Sequence, residues 1–204
     1  MHEYSGEGGM IDLGVNTEGL IFDCDGTLVD TLEAHYLAWD NVFNKNGITV
    51  PENYLDQFNS CPSRMIIEKI NSDFDTNFDP DKLAFEKEEY LNSNMGNVRP
   101  IEPVISYVKD YYGKVPMSVI SGGVRKNVTK CLETLDILRY FDILICADDD
   151  HPYKTEPESF LRLARMMEVK PECCVVFEDG DVGIKSARLA GMRVVDVRTD
   201  LGRS

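Results

Sequence analysis

The chain is poor in most of the features that mark membrane, zinc and nucleic-acid proteins. Its purely apolar stretches are only a handful of residues long, as in Ile143-Leu144-Ile145-Cys146-Ala147, whereas a bilayer span needs ~20. No membrane partner is expected. Three histidines, His2, His35 and His151, are scattered, and no CxxC pair occurs, so no zinc ligand set is in view. Positive charge is scarce, with 21 Lys and Arg against 36 Asp and Glu and a net charge of −15. Nucleic-acid binding rests on clustered cations against phosphates, and the charge balance excludes it here. A small anion is not excluded, because a divalent ion and one or two local cations set the field inside a cleft. The amino terminus, Met1 to Gly9, is polar, glycine-rich and acidic. It lacks the basic start and apolar centre of a secretory signal, and residues 1–16 are expected to form a mobile arm. Four of the six cysteines, Cys24, Cys146, Cys173 and Cys174, lie in or beside apolar strand-like runs. Buried free thiols in a reducing cytoplasm are the expectation.

What is present suffices for a packed core, since 43% of 204 residues are apolar. Five short runs read as strands covered on both faces: Gly19–Asp23, Met117–Ser121, Ile143–Ala147, Cys173–Glu178 and Arg193–Val197. They lack two-residue alternation, and the intervals between the later ones read as helices over Glu102–Tyr112, Val124–Leu135, Pro157–Glu168 and Val182–Ala190. The fold class is therefore α/β, a doubly wound parallel sheet of five main strands. Some ninety residues separate the first strand from the second, far more than one crossover requires. Helical patterns in Leu32–Asn46, Met65–Ile70 and Leu83–Leu91 place a small α-helical cap at residues 31–98. The core is assigned to 17–30 and 99–204.

Asp23-Cys24-Asp25-Gly26-Thr27 follows directly on the first strand, at the carboxyl edge where ligands bind in open α/β folds. Alternation puts Asp23 and Asp25 on one side with Cys24 pointing away, and Gly26 lets the backbone turn and approach an anion. Two carboxylates and an anion need a cation. With Mg²⁺ bound, one carboxylate can attack phosphorus while the other, protonated, assists the leaving oxygen. The plain alternative is a turn with two exposed aspartates. Three weaker signals accompany the pair. Ser121-Gly122-Gly123 ends the second strand, where a hydroxyl and glycine-exposed amides can hold phosphate oxygens. Such turns also use Ser and Gly routinely. Lys154 follows Asp148-Asp149-Asp150 beyond the third strand. It can neutralise a transferring phosphoryl group and pair with Asp23, while the three aspartates are read as facing solvent. Phe177-Glu178-Asp179 ends the fourth strand, with Asp179 the preferred Mg²⁺ ligand and Glu178 a further ligand or the holder of a metal-bound water. Asp181 is read as a cap of the next helix.

In their order and spacing these segments resemble the haloacid dehalogenase superfamily. Its four motifs are matched by Asp23 to Thr31, Ser121, Lys154, and Phe177-Glu178-Asp179 with Gly183 and Ala190-Gly191-Met192. Within it the chain looks like the branch of β-phosphoglucomutases and small sugar-phosphate phosphatases. His35, Trp39, Cys174 to Asp179 and Val194 to Arg198 are similar to the bacterial fructose-1-phosphate phosphatase subgroup. The resemblance implies that Asp23 becomes an aspartyl phosphate and that Asp25 is general acid and then base. It implies that Ser121 and Lys154 hold the phosphoryl group, and that Asp23, the Asp25 carbonyl and Asp179 hold Mg²⁺. Three positions depart from the family pattern. Thr155 stands where proline is usual, Gly180 where serine or alanine is usual, and Asn59 to Arg64 resembles the substrate-specificity loop without its common glycine.

The expected function is a Mg²⁺-dependent phosphatase acting on small phosphorylated metabolites, with sugar phosphates foremost. Gly26, Gly122, His35 and Arg64 are the expected substrate contacts. A β-phosphoglucomutase using the same site is the rival reading. A non-catalytic phosphate-binding protein is the alternative from another class. A monomer in the cytoplasm is the expected state, with an oligomer left open.

Overall fold

The computed structural model describes residues 11–96, 98–150 and 152–201. The strands are β1 (Gly19–Phe22), β2 (Val29–Asp30), β3 (Arg99–Pro100), β4 (Met117–Ile120), β5 (Ile143–Ile145), β6 (Cys174–Glu178) and β7 (Arg193–Asp196). The helices are α1 (Leu32–Asn46), α2 (Ser63–Phe74), α3 (Pro80–Asn94), α4 (Glu102–Tyr111), α5 (Arg125–Thr134), α6 (Pro157–Met166) and α7 (Asp181–Leu189). The five expected strands form one sheet in the order β5-β4-β1-β6-β7, with every pair parallel. β1 is central, with Leu20 opposite Met117 on one side and Val175 on the other. The chain runs outward from β1 through β4 and β5, then crosses back to add β6 and β7. That reversal opens a crevice at the carboxyl end of β1.

Alternation along the strands divides the core between two helix layers. Leu20, Phe22, Val119, Val175 and Phe177 face α4 and α5, whereas Ile21, Ile120, Cys174 and Val176 face α6 and α7. Each strand is covered on both sides, which is why its residues read as continuous apolar runs. Phe22 stacks on Phe177 with centroids 4.9 Å apart, and Tyr107 tilts against Phe177 at 4.9 Å. Full burial of side chains of this size stabilises by roughly 1.5–3 kcal/mol each.

The antiparallel pair β2–β3, with Val29 opposite Pro100, was not evident in the residues because each strand is two residues long. It closes the base of a helical insertion, α1 to α3, which encloses its own apolar cluster of Trp39, Val42, Phe43, Ile66, Ile67, Ile70 and Leu83. Gly47 ends α1 with a φ of +64°, the left-handed turn for which glycine carries no steric cost.

Residues 1–10 of the expected arm lie outside the described residues. Residues 11–16 correct that expectation, because Leu13 is 2% exposed and packs in the main core. The Ile11 amide donates to the Tyr107 hydroxyl. Six residues are too short a segment to reveal their anchoring, yet Ile11 and Leu13 suffice to hold it. All six cysteines are free, with Cys24, Cys131, Cys146 and Cys174 buried. No described helix is long and apolar enough to cross a membrane.

Candidate active site at the carboxyl edge of the sheet

The ends of β1, β4 and β6, with the loop after β5, bring the motif side chains together. Asp23 directly follows β1, and its amide still bonds the Phe177 carbonyl at 3.0 Å, so strand pairing fixes its backbone. Its side chain is 2% exposed. Lys154 Nζ pairs with Asp23 Oδ1 and lies 2.6 Å from Glu178 Oε2. One ammonium thus serves two carboxylates. Asp23 Oδ2 is buried with no hydrogen-bond partner among the described residues.

Asp179 completes the acidic side. Thr27 Oγ1 donates to its Oδ1 at 2.9 Å. A Cβ at Gly26 would overlap Asp179 Oδ2 and lie 2.8 Å from its Cγ, so the position admits Asp179 only as glycine. The Gly26 φ of +87° favours the same residue. Oxygens from Asp23, Glu178 and Asp179 all lie within 4.8 Å of one another. Burial, then Glu178, raise the Asp23 carboxyl well above its ordinary range despite Lys154. Burial and Glu178 likewise push Asp179 up to about 6. Burial disfavours a lysine's charge, but Asp23 and Glu178 outweigh it and hold Lys154 protonated beyond its ordinary range. Three carboxylates against one ammonium, all-oxygen donors and an orphaned Oδ2 fit a hard divalent cation.

Asp25 lines, together with Asp23, a pocket beneath the helical insertion. Thr31 Oγ1 donates to its Oδ1 at 2.6 Å, His35 Nε2 stands at 3.1 Å, and Ser121 Oγ lies 3.4 Å from Oδ2. Lys87 Nζ donates to His35 Nδ1 at 3.0 Å. An ammonium only donates, so Nδ1 is the ring's acceptor and Nε2 carries the proton offered to Asp25. Burial opposes ionisation of Asp25, but His35, the Thr31 hydrogen bond and Lys87 outweigh it and hold the carboxyl well below its ordinary range. Cys24 points away into the core, as alternation requires.

Gly122, His35 and Ser121 line the pocket with Leu32, Tyr36, Trp39 and Phe58. Arg64 does not, which corrects its expected place. Its exposed guanidinium bonds Glu68 at 3.0 Å and Asp81 at 3.3 Å on the outer surface, because at the start of α2 it lies off the buried stripe of Ser63, Ile66, Ile67 and Ile70. The acidic loop is also more than a solvated run. Asp148 Oδ1 accepts from the Arg125 amide at 2.7 Å and so satisfies the start of α5. Asp149 holds the Arg125 guanidinium. Asp181 does not cap α7; it is the first helical residue, and its carboxylate accepts from Arg198 at 2.7 Å.

Lys87, Glu88 and Asn127 escaped the sequence reading. Glu88 accepts from Lys87 at 2.9 Å, Ser63 at 2.6 Å and Asn127 at 2.7 Å, all buried. One signal was available. Leu83, Lys87 and Leu91 share a four-residue spacing, which sets a lysine on the buried stripe of α3.

The chain's similarities agree with this geometry. A family model described as haloacid dehalogenase-like hydrolase matches residues 20–197. Fructose-1-phosphate phosphatase YqaB of Escherichia coli (strain K12) is 39% identical over 181 residues, which cover 88% of this chain and 96% of that protein. The β-phosphoglucomutase of Bacillus subtilis (strain 168) is 25% identical over 192 residues, covering 88% and 83%. Among solved structures, β-phosphoglucomutase from Clostridium difficile superposes with a TM-score of 0.76 at 25% identity, covering 92% of this chain and 88% of that one. With a family match of this extent, and relatives aligned over most of their length, the chain belongs to the haloacid dehalogenase-like hydrolase family.

Proposed function

We propose that this hydrolase is a Mg²⁺-dependent phosphatase for small phosphorylated metabolites, with sugar monophosphates as its substrate class, working through an aspartyl phosphate on Asp23. The observation that carries the reading is that the two aspartates line one pocket with different partners. Asp23 sits with Lys154, Glu178 and Asp179, while Asp25 is held by Thr31, His35 and Ser121.

Asp23, Asp179 and Glu178, with the Asp25 carbonyl, would hold Mg²⁺, which would supply charge neutralisation for the phosphoryl group. Asp23 attacks phosphorus with its carboxylate oxygen, and the ester oxygen departs taking from Asp25 a proton that this carboxylate, ionised in the substrate-free chain, receives from the entering phosphate monoanion. Lys154, Ser121 and the Gly122 amide hold the phosphoryl oxygens. Asp25, now ionised and hydrogen-bonded by His35 and Thr31, then takes a proton from water as that water attacks the Asp23 phosphate. Phosphate leaves and Asp25 is again protonated. The insertion acts as a cap whose apolar wall of Leu32, Trp39, Phe58 and Ile66 excludes bulk water from the first step.

The mutase reading uses the same residues but must also hold a bisphosphate. Lys87 is the one lysine or arginine among the described pocket residues, and it is engaged by His35 and Glu88. Arg64 is paired outside. A second phosphate finds no uncommitted cation there, which favours monoester hydrolysis.

The test is a phosphate-release screen over sugar phosphates, with and without Mg²⁺, comparing wild type and Asp23→Asn. Turnover is expected only with the ion, and roughly 10⁴-fold or more is lost in the variant. Conversion of β-glucose 1-phosphate to glucose 6-phosphate with a bisphosphate primer, and no ester hydrolysed, would overturn the proposal.

A further inference from the structure

Ser60 lies in the loop before α2, at a φ of +75°, a conformation that a residue with a side chain adopts only where its surroundings impose it. Those surroundings are two glycines on neighbouring strand-end loops. A Cβ at Gly122, after β4, would overlap the Ser60 carbonyl oxygen and come within 2.9 Å of its carbonyl carbon. A Cβ at Gly180, after β6, would overlap the Ser60 hydroxyl and lie 2.8 Å from the Asn59 carbonyl oxygen. Together they leave a slot that Ser60 fills. Its hydroxyl donates to Glu178 Oε1 at 2.6 Å, beside the Gly180 amide at 2.9 Å. Glu178 Oε2 meanwhile ion-pairs with Lys154 at 2.6 Å. A wholly buried member of the carboxylate cluster therefore takes one of its donors from the helical insertion.

From this geometry we propose that Ser60 is a positioning residue: seating the insertion loop in the Gly122–Gly180 slot orients Glu178, and through it the carboxylates that would hold the divalent ion. The inference rests on the metal site of the function proposed above and not on the identity of the substrate. Coupling of this kind is reciprocal, so a seated loop strengthens ion binding and the ion holds the loop seated.

The test uses the full chain without substrate and reads two quantities, Mg²⁺ affinity by calorimetric titration and hydrogen exchange at the amides of residues 59–61. In the wild type, Mg²⁺ is expected to slow that exchange. Ser60→Ala keeps the Cβ but removes the hydroxyl, and is expected to weaken Mg²⁺ binding about tenfold, the effect of losing a partner of a metal ligand. Gly180→Ala fills the slot and is expected to speed exchange at 59–61 with or without the ion. Wild-type affinity in Ser60→Ala, or wild-type exchange at 59–61 that ignores Mg²⁺, overturns the coupling. Neither readout needs turnover. A chain that binds Mg²⁺ and shows the coupling but hydrolyses no ester would defeat the phosphatase proposal alone. Normal hydrolysis with unchanged affinity in Ser60→Ala would defeat the coupling alone.

Discussion

Asp23, Glu178 and Asp179 stand so close that their ionised forms compete, and one lysine does not neutralise all three. In the metal-free chain burial and this repulsion raise Asp23 and hold Asp179 near about 6. A raised carboxyl retains its proton through mildly acid pH, and a cation must displace that proton to bind. Mg²⁺ affinity is therefore expected to fall several-fold between about pH 7.5 and about pH 5.5, with proton uptake by the cluster. Calorimetric titration in two buffers of different ionisation heat measures both quantities. An affinity that does not change across this range would mean the cluster is not the ion's site. The same crowding stayed hidden in the amino-acid sequence, where Asp23 and Glu178 are far apart. Their presence at strand ends was legible; their mutual repulsion depends on the β1–β6 pairing that sets Phe22 opposite Phe177.

At the scale of elements, α3 carries a polar device on an otherwise apolar stripe. Lys87 and Glu88 are buried between Leu83 and Leu91, and they connect His35 on α1, Ser63 on α2 and Asn127 on α5. The insertion is thus tied to the core through a charged pair whose remaining lone pairs are filled, the condition under which a buried pair is tolerated. Burial alone would raise the Glu88 carboxyl, but Lys87, the Ser63 and Lys87 hydrogen bonds and His35 outweigh it and hold it below its ordinary range. The sign follows: a depressed carboxyl contributes stability that is present above its unfolded value of roughly 4.3 and is lost as pH falls through the lower folded value. Glu88→Gln is expected to lose about 3 kcal/mol near neutral pH, by leaving Lys87 without its counter-charge. Urea denaturation of both proteins should show that difference shrinking as the pH drops below roughly 4. A gap that is constant with pH would mean that the charge of Glu88 does not matter.

At the scale of the molecule, β1 is both the centre of the sheet and the origin of Asp23, so core packing and site geometry share one element. Residues 11–16 join that packing through Leu13, which is nearly fully buried. Leu13→Ala is expected to cost about 2–4 kcal/mol in chemical denaturation. Wild-type stability in that variant would show the segment to be dispensable. The insertion carries its own apolar cluster, and it also meets the main core through Ala38, Leu91 and Met95 beside the polar contacts at Ser60 and Lys87.

Strands, helices and the place of the clustered carboxylates are legible in the residues themselves. A buried parallel strand must be apolar over its whole length, and the residue after it must emerge at the sheet's carboxyl edge, so both facts are written locally. Asp23 and Asp179 were found that way, and the helices of the insertion by their periodicity. Only the tertiary structure decided which polar side chains of the insertion reach the site. Arg64 turned outward and Lys87 inward because helix rotation is set by packing of the apolar stripe, a property of neighbours distant in the chain. Ser60 is the sharpest case: its place depends on Gly122 and Gly180 arriving from two other loops, and nothing within its own segment records them.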